Sequence, residues 1–232
     1  MTIFLDSGDI DVVAHFHDMG IVGGVTTNPT ILLQAGHGGG VAALERRMVD
    51  IAKLIDPLPL SVEVTSNDAE VMLRQAKVYA GWASNINVKI PVHGPQGEDH
   101  NLAVVRELEA EHDIRVNVTA MMSAQQCLLA AYAGATYVSL FGGRVNNMGY
   151  NSLQEIAKLR SLLDRLRLPA KIIVGSTREV LNIVEWLEAG ADIVTSTPSL
   201  IAGMLVHPYT KETVQMFLRD GAAAEAALNA EA

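Results

Sequence analysis

The chain of 232 residues has a single cysteine, Cys127. No disulfide can close within it, and a reducing compartment suits such a composition. Basic charge is scarce too: 17 Lys and Arg stand against 26 Asp and Glu, a formal net charge of −9 at pH 7. A nucleic-acid partner needs a basic face to meet phosphates, so this balance argues against one. It still allows a local Arg or Lys pocket for one small phosphate. No run approaches the roughly 18 uncharged apolar residues that crossing a bilayer requires, so no membrane partner is expected. The opening MTIFLDSGDI lacks a basic stretch before a long apolar run and reaches Asp6 early, which argues against a secretion signal. With 49% hydrophobic and 19% charged residues, the expectation is a globular cytoplasmic protein.

Short β-rich runs alternate with helical patterns along the whole chain. The predicted strands are 3–6, 23–28, 61–65, 86–90, 114–119, 137–141, 171–176 and 192–196, with helical spacing in segments such as 69–83 and 124–135. Such alternation implies parallel strands joined by right-handed crossovers. Eight units match the number that closes a barrel; a doubly wound open sheet competes with it on the count alone. One domain over 1–232 is expected, with a terminal helix over about 211–232. The glycines of AGHGGG (35–40) lack the lysine and spacing of a phosphate-binding loop and read as a plain loop. Gly23 and Gly24 precede a strand instead of following one, so they are no dinucleotide fingerprint.

Alternate residues of a strand face opposite sides. One side carries the apolar residues here: Val62 and Val64; Ile86, Val88 and Ile90; Val116 and Val118; Val138 and Leu140. The other carries Ser61, Glu63 and Thr65; Asn87 and Lys89; Arg115, Asn117 and Thr119; Ser139 and Phe141; Asp6 opposes Leu5 in the same way. Burying such groups costs several kcal/mol each unless they are paired or used. Asp6, Asn28, Glu63, Lys89, Thr119 and Phe141 all fall at or near the C-terminal ends of their strands, where a barrel builds its active site. A lone Asp or Thr at a strand end is ordinarily a helix cap, and a lone Lys can extend outward to solvent. Recurrence across five strands is not explained that way.

A lysine inside a barrel can attack a carbonyl and form an imine that draws electrons from the adjacent carbon–carbon bond. Asp6 suits proton transfer at a substrate hydroxyl, and Glu63 with Thr119 suits the holding of a water. Asn28, Asn117 and Ser139 suit substrate hydroxyls. Arg144, Ser176 and Arg178 follow the sixth and seventh strands, near the usual barrel phosphate site. An isomerase using Glu63 as its base, or a barrel with no catalytic role, are competing readings. The latter gives no reason to gather Lys, Asp and Glu at one mouth.

The motifs FLDSGD, GVTTNPTIL (24–32), SVEV (61–64), NVKIPV (87–92), RVNVTAMMS (115–123), SLFGGRV (139–145) and GSTRE (175–179) occur in that order over nearly the whole chain. In them the sequence resembles the transaldolase family, in its small subgroup with the fructose-6-phosphate aldolases. The resemblance implies a single (β/α)₈ barrel of the class I aldolase type. It implies Lys89 as the imine lysine, Asp6 as the proton-transfer carboxylate, and Glu63 and Thr119 as the pair holding the catalytic water. Thr26, Asn28, Asn117, Ser139 and Phe141 would line the substrate, and Arg144, Ser176 and Arg178 would hold a sugar phosphate. The implied reaction moves a dihydroxyacetone unit from a ketose phosphate to an aldose acceptor with no metal or organic cofactor. The implied assembly is a pentamer or decamer, its C-terminal helix (211–219 here) lying on a neighbour. Fructose-6-phosphate aldolases typically carry Tyr where Phe141 stands and Gln where Glu63 stands, so both positions favour transaldolase. The chain departs from the family pattern at Thr177, usually Phe, and around Asn146, Asn147 and Tyr150.

Other features read as structural. His15 and His17 point to different helix faces and predict no metal site. Cys127 lies in an apolar helix and predicts core packing. Met121 and Met122 follow the fifth strand and read as gap-filling, with lining of the site the alternative, and Trp82 and Trp186 read as helix residues packing on the barrel.

Overall fold

The computed structural model describes residues 1–34 and 40–230. Its order is β1 (Thr2–Asp6), α1 (Ile10–Asp18), β2 (Val25–Thr26), α2 (Pro29–Gln34), α3 (Gly40–Ile55), β3 (Leu60–Glu63), α4 (Ala69–Ala80), β4 (Ile86–Pro91), α5 (Asn101–Glu111) and β5 (Val116–Met121). Then follow α6 (Ala124–Tyr132), β6 (Tyr137–Leu140), α7 (Gly142–Asn147), α8 (Ser152–Leu166), β7 (Lys171–Val174), α9 (Val180–Glu188), β8 (Ile193–Ser196), α10 (Pro198–Leu205) and α11 (Pro208–Ala230). Each strand pairs in parallel with its successor, and β8 returns to β1, where Thr2 faces Ile193 and Leu5 faces Ser196. The sheet is closed: this is a (β/α)₈ barrel, and the open doubly wound alternative is excluded. Apart from Gly40, which opens α3, the stretch AGHGGG lies outside the described residues.

Strand alternation builds two cores. The outward side chains Leu5, Val25, Val62, Val88, Val116, Val118 and Val138 join the buried faces of the helices in one large cluster. The inward side chains Phe4, Tyr137, Ile173 and Ile193 form a second, smaller one. The inner space is apolar around Phe4, Tyr137, Ile173 and Ile193. Polar residues enter early on β3, β4 and β5, where Ser61, Asn87 and Asn117 are buried at the second positions, and later on β1 and β6, where Asp6 follows Phe4 and Ser139 follows Tyr137 by two positions. Helix starts are fixed locally: Asp9 caps α1, Asp68 caps α4 and Ser123 caps α6, each accepting main-chain N–H groups of the first turn.

Close approaches need particular glycines. A methyl group on Gly142 would lie 2.7 Å from Trp186 Cζ2, and one on Gly143 would overlap the main-chain oxygen of Ser176. Neither is compatible with a side chain, so these two glycines let the start of α7 press against the β7–α9 connection. Trp186 is fully buried and donates to Ser152 Oγ at 2.9 Å, joining α9 to α8.

Three expectations are corrected. Trp82 is not helical; it lies in the turn after α4 and stacks on Tyr79 at 4.4 Å between ring centroids. Arg115 does not face the barrel interior beside Asn117. It precedes β5 at the barrel's N-terminal end, is exposed, and donates to the main-chain oxygen of Ser84. The second strand is shorter than 23–28, being only Val25–Thr26, because Asn28 already caps the helix that follows. Met121 and Cys127 are buried and Met122 is partly exposed.

Candidate active site

Lys89 is two residues short of the end of β4 and only 6% exposed. Its Nζ donates to the main-chain oxygen of Thr27 at 2.8 Å and lies 3.1 Å from Glu63 Oε2. Strand register explains the pair, since Glu63 on β3 stands opposite Lys89 on β4. A buried ammonium needs such partners, as Lys is almost never fully buried unpaired.

Asp6 ends β1, and Thr26, its register partner on β2, donates to its Oδ1 at 2.7 Å. Burial pushes the Asp6 carboxyl above the ordinary carboxylate range. The Lys89 charge and the Thr26 hydrogen bond pull it back only in part, and nearby Glu63 raises it further. Asp6 is thus easier to protonate than a surface aspartate, a property suited to passing protons near neutral pH.

Ser139, Asn117 and Ser61 form a buried chain across β6, β5 and β3. Ser139 Oγ donates to Asn117 Oδ1 at 2.6 Å, and Asn117 Nδ2 donates to Ser61 Oγ at 3.2 Å. Asn117 stands opposite Lys89 in the sheet, which brings this chain to the lysine's level. Thr119 is buried on β5, and among the described residues its hydroxyl has no hydrogen-bond partner. Beside it the β5–β6 register shifts between Val118 and Met121, and Ala120 takes φ +62°. For a non-glycine residue this left-handed backbone costs about 1–3 kcal/mol, and bulges of this kind re-aim side chains near active sites.

Asn28 occupies a different role at first sight: its Oδ1 accepts from the Ile31 main-chain N–H at 3.0 Å and caps α2. Its amide nitrogen is left for another partner. Phe141 precedes α7, with the Arg144 guanidinium 5.2 Å from its ring centroid. Arg144 and Arg178 are exposed, and Ser176 takes φ +59° with a hydroxyl that has no partner among the described residues. The close approach of Gly143 to Ser176 and to Arg178 Cγ places the three potential phosphate ligands in touching loops.

The fold therefore gathers two groups. Asp6, Thr26, Glu63, Lys89, Asn117 and Ser139 converge by direct bonds or register inside the barrel, and Arg144, Ser176 and Arg178 adjoin at its rim. Sequence reasoning missed Thr27, whose carbonyl holds Lys89, and Thr195, whose Oγ1 lies 2.6 Å from Thr26 Oγ1. The first acts through its backbone, which no residue type announces. The second is one more threonine at a strand end, and only the closure of β8 on β1 brings it to the site. A trio elsewhere, Glu107, Glu111 and His112, places its ligand atoms within 4.8 Å of one another at the end of α5. Glu107 there is already paired with His112 at 3.3 Å and Lys77 at 4.0 Å.

Comparison with known proteins bears on the fold and the family. Among solved structures, a putative phosphonomutase from Burkholderia cenocepacia superposes with TM-score 0.60 at 16% identity, covering 94% of this chain and 92% of that one. A thiamine phosphate pyrophosphorylase from Pyrococcus furiosus superposes with TM-score 0.58 at 11% identity, over 84% and 85%. At such identities these likenesses show the barrel alone. In sequence the chain is 38% identical over 226 residues to the "Probable transaldolase" of Lactiplantibacillus plantarum, covering 97% of this chain and 99% of that one. It is 37% identical over 220 residues to the "Probable transaldolase 2" of Listeria monocytogenes, covering 95% of each. The model of the transaldolase/fructose-6-phosphate aldolase family matches residues 3–232, and the chain is a member of that family.

Proposed function

We propose that the chain is a Schiff-base-forming transaldolase that moves a dihydroxyacetone unit from a ketose phosphate, such as fructose 6-phosphate, to an aldose acceptor. The observation that carries this reading is the buried Lys89 amine 3.1 Å from Glu63, at the same mouth as a carboxyl that burial makes easy to protonate.

The Lys89 amine must be neutral to attack, and Glu63 is placed to take its proton. Nζ then adds to the C2 carbonyl. Proton delivery to the new hydroxyl and loss of water give the iminium, with Glu63 and Thr119 flanking the water. Asp6 takes the proton of the C4 hydroxyl as the C3–C4 bond breaks, and its electrons pass into the iminium to form an enamine. An aldose phosphate leaves. The enamine attacks the acceptor aldehyde, Asp6 returns its proton to the new hydroxyl, and hydrolysis frees Lys89. Nothing in this sequence calls for a metal or an organic cofactor. Asn28, Asn117 and Ser139 bind the substrate's hydroxyls, and Arg144, Ser176 and Arg178 grip its phosphate. Phe141 offers no hydroxyl to assist water, so the enamine waits for an acceptor.

The working form is a homo-oligomer in the cytoplasm, a pentamer or decamer. Every residue from Ala202 to Asn229 is exposed in the isolated chain, including Tyr209, Phe217 and Leu218. A long helix with such residues in water favours burial against another subunit. No described helix is long and apolar enough to cross a membrane.

The test is to incubate the protein with fructose 6-phosphate, add borohydride, and locate the adduct by intact mass and peptide mapping. A reduced three-carbon adduct on Lys89 is expected. No adduct with any ketose phosphate would remove the imine mechanism. Activity that releases dihydroxyacetone with no acceptor present would make the enzyme an aldolase instead.

A further inference from the structure

We infer that Thr195 is a positioning residue that orients the Asp6 carboxylate through the hydroxyl of Thr26. The inference rests on the reading of Asp6 as the proton-transfer group.

Thr195 lies on β8 and stands opposite Phe4 of β1. Ile193, two residues earlier on the same strand, belongs to the inner cluster, so the Thr195 side chain also points into the barrel. Its Oγ1 lies 2.6 Å from Thr26 Oγ1, which in turn lies 2.7 Å from Asp6 Oδ1. An ionised carboxylate only accepts hydrogen bonds, so Thr26 must give Asp6 its one hydroxyl proton. The Thr26 oxygen can then only accept in its contact with Thr195, and Thr195 donates. The chemistry of one carboxylate thus fixes the direction of both bonds.

A free hydroxyl rotor divides its time among several orientations. Donation from Thr195 occupies a lone pair of Thr26 and turns the Thr26 proton toward Asp6. Oδ1 is held in this way, while Oδ2 remains to exchange the proton with substrate. Thr195 is itself well anchored: it is 9% exposed, and its main-chain oxygen accepts from Thr177 Oγ1 at 2.8 Å. Thr177 stands between Ser176 and Arg178, so the same strand position ties the phosphate loop to the carboxylate's support. Chained hydrogen bonds of this kind strengthen one another in a low-dielectric interior.

The test measures kcat, KM and their pH dependence for Thr195→Val, Thr195→Ser, Thr26→Val and the double valine variant, with Asp6→Asn as control. Valine keeps the shape and removes the donor; Thr195→Ala serves if the valine protein does not fold. Loss of one donor in the chain is expected to lower kcat about three- to tenfold with little change in KM. It should also move the acidic limb of the pH profile upward, since weaker donation favours the protonated carboxyl. Thr195→Ser should keep that limb at its parental position, and the double variant should be no worse than Thr26→Val alone. A Thr195→Val profile identical to the parent's overturns the inference, as do equal losses in the serine and valine variants or losses that multiply in the double variant. An Asp6→Asn protein with parental activity overturns the reading of Asp6 itself, whatever the threonine variants do.

Discussion

Asp6 and Glu109 sit at opposite ends of the same barrel, and burial pushes both carboxyls above their ordinary range. Their surroundings differ in one respect. Glu109, on α5, accepts from the Val116 N–H at 2.7 Å, the Thr136 N–H at 2.7 Å and the Thr136 hydroxyl at 3.1 Å. It thereby ties together the starts of β5 and β6. Asp6, at the strand ends, accepts a single side-chain bond among the described residues, from Thr26. Fixed donors satisfy one carboxylate; the other, on the proposed reading, keeps an oxygen for substrate. Burial is common to both, so it is the incomplete satisfaction of Asp6 on which that reading rests. The same contrast holds for backbone strain. Asp113 (φ +52°) and Arg167 (φ +55°) lie in turns at the strand starts, where they end helical segments, whereas Ala120 and Ser176 carry positive φ beside Thr119 and Arg178.

Asp6→Asn should break the contrast most strongly. Its kcat should fall about 10²- to 10⁴-fold, the range associated with loss of positioned acid–base catalysis. Its stability at pH 7 should rise instead of falling. The folded-state pKa of Asp6 is raised above the unfolded value, so the ionised form costs the native state free energy at neutral pH. That cost disappears as pH falls below the ordinary aspartate range, and the melting advantage of the variant should vanish there. A destabilised Asp6→Asn protein at pH 7 would mean that the Asp6 carboxylate holds the native structure together.

Glu109→Ala should do the reverse. Two main-chain N–H groups and a hydroxyl lose their acceptor, at a cost of about 1–3 kcal/mol in unfolding free energy. Denaturant unfolding should register that loss while kcat per folded molecule holds. A large fall in kcat at unchanged stability would erase the division between the two ends.

Smaller effects sharpen the picture of the mouth. Arg178→Ala should raise KM for a sugar phosphate about tenfold, as expected for a lost charge-assisted contact, and leave KM for the unphosphorylated sugar unchanged. Equal effects on both sugars would move the phosphate elsewhere. Phe141→Tyr should give the smallest change, a modest rise in dihydroxyacetone released without an acceptor. If release stays at the parental level, the absence of a hydroxyl at position 141 is not what holds the enamine.

Much of the site was legible because strand alternation is a local property. Lys89, Glu63, Asn117 and Ser139 share the unusual polar side of their strands, and each is buried or paired inside the barrel. Arg115 obeys the same alternation yet lies outside the barrel, because parity assigns a side but not a height along the axis. Asn28 was legible as a residue of the mouth, but its capping of α2 depends on where β2 stops. The helical spacing of 69–83 carries Trp82 along with it, whereas the chain turns before it and packs the ring on Tyr79.

Taken by itself, the sequence determined the alternation of strands and helices, the apolar and polar sides of each strand, and the residue types available at the strand ends. Those properties arise from neighbours two to four positions apart. Only the tertiary structure decided that the sheet closes, that Glu63 stands 3.1 Å from Lys89, and that Thr195 meets Thr26 across 169 positions of chain. The register between strands and the closure of β8 on β1 depend on how all eight units pack, and no local pattern in the chain encodes the distances that result.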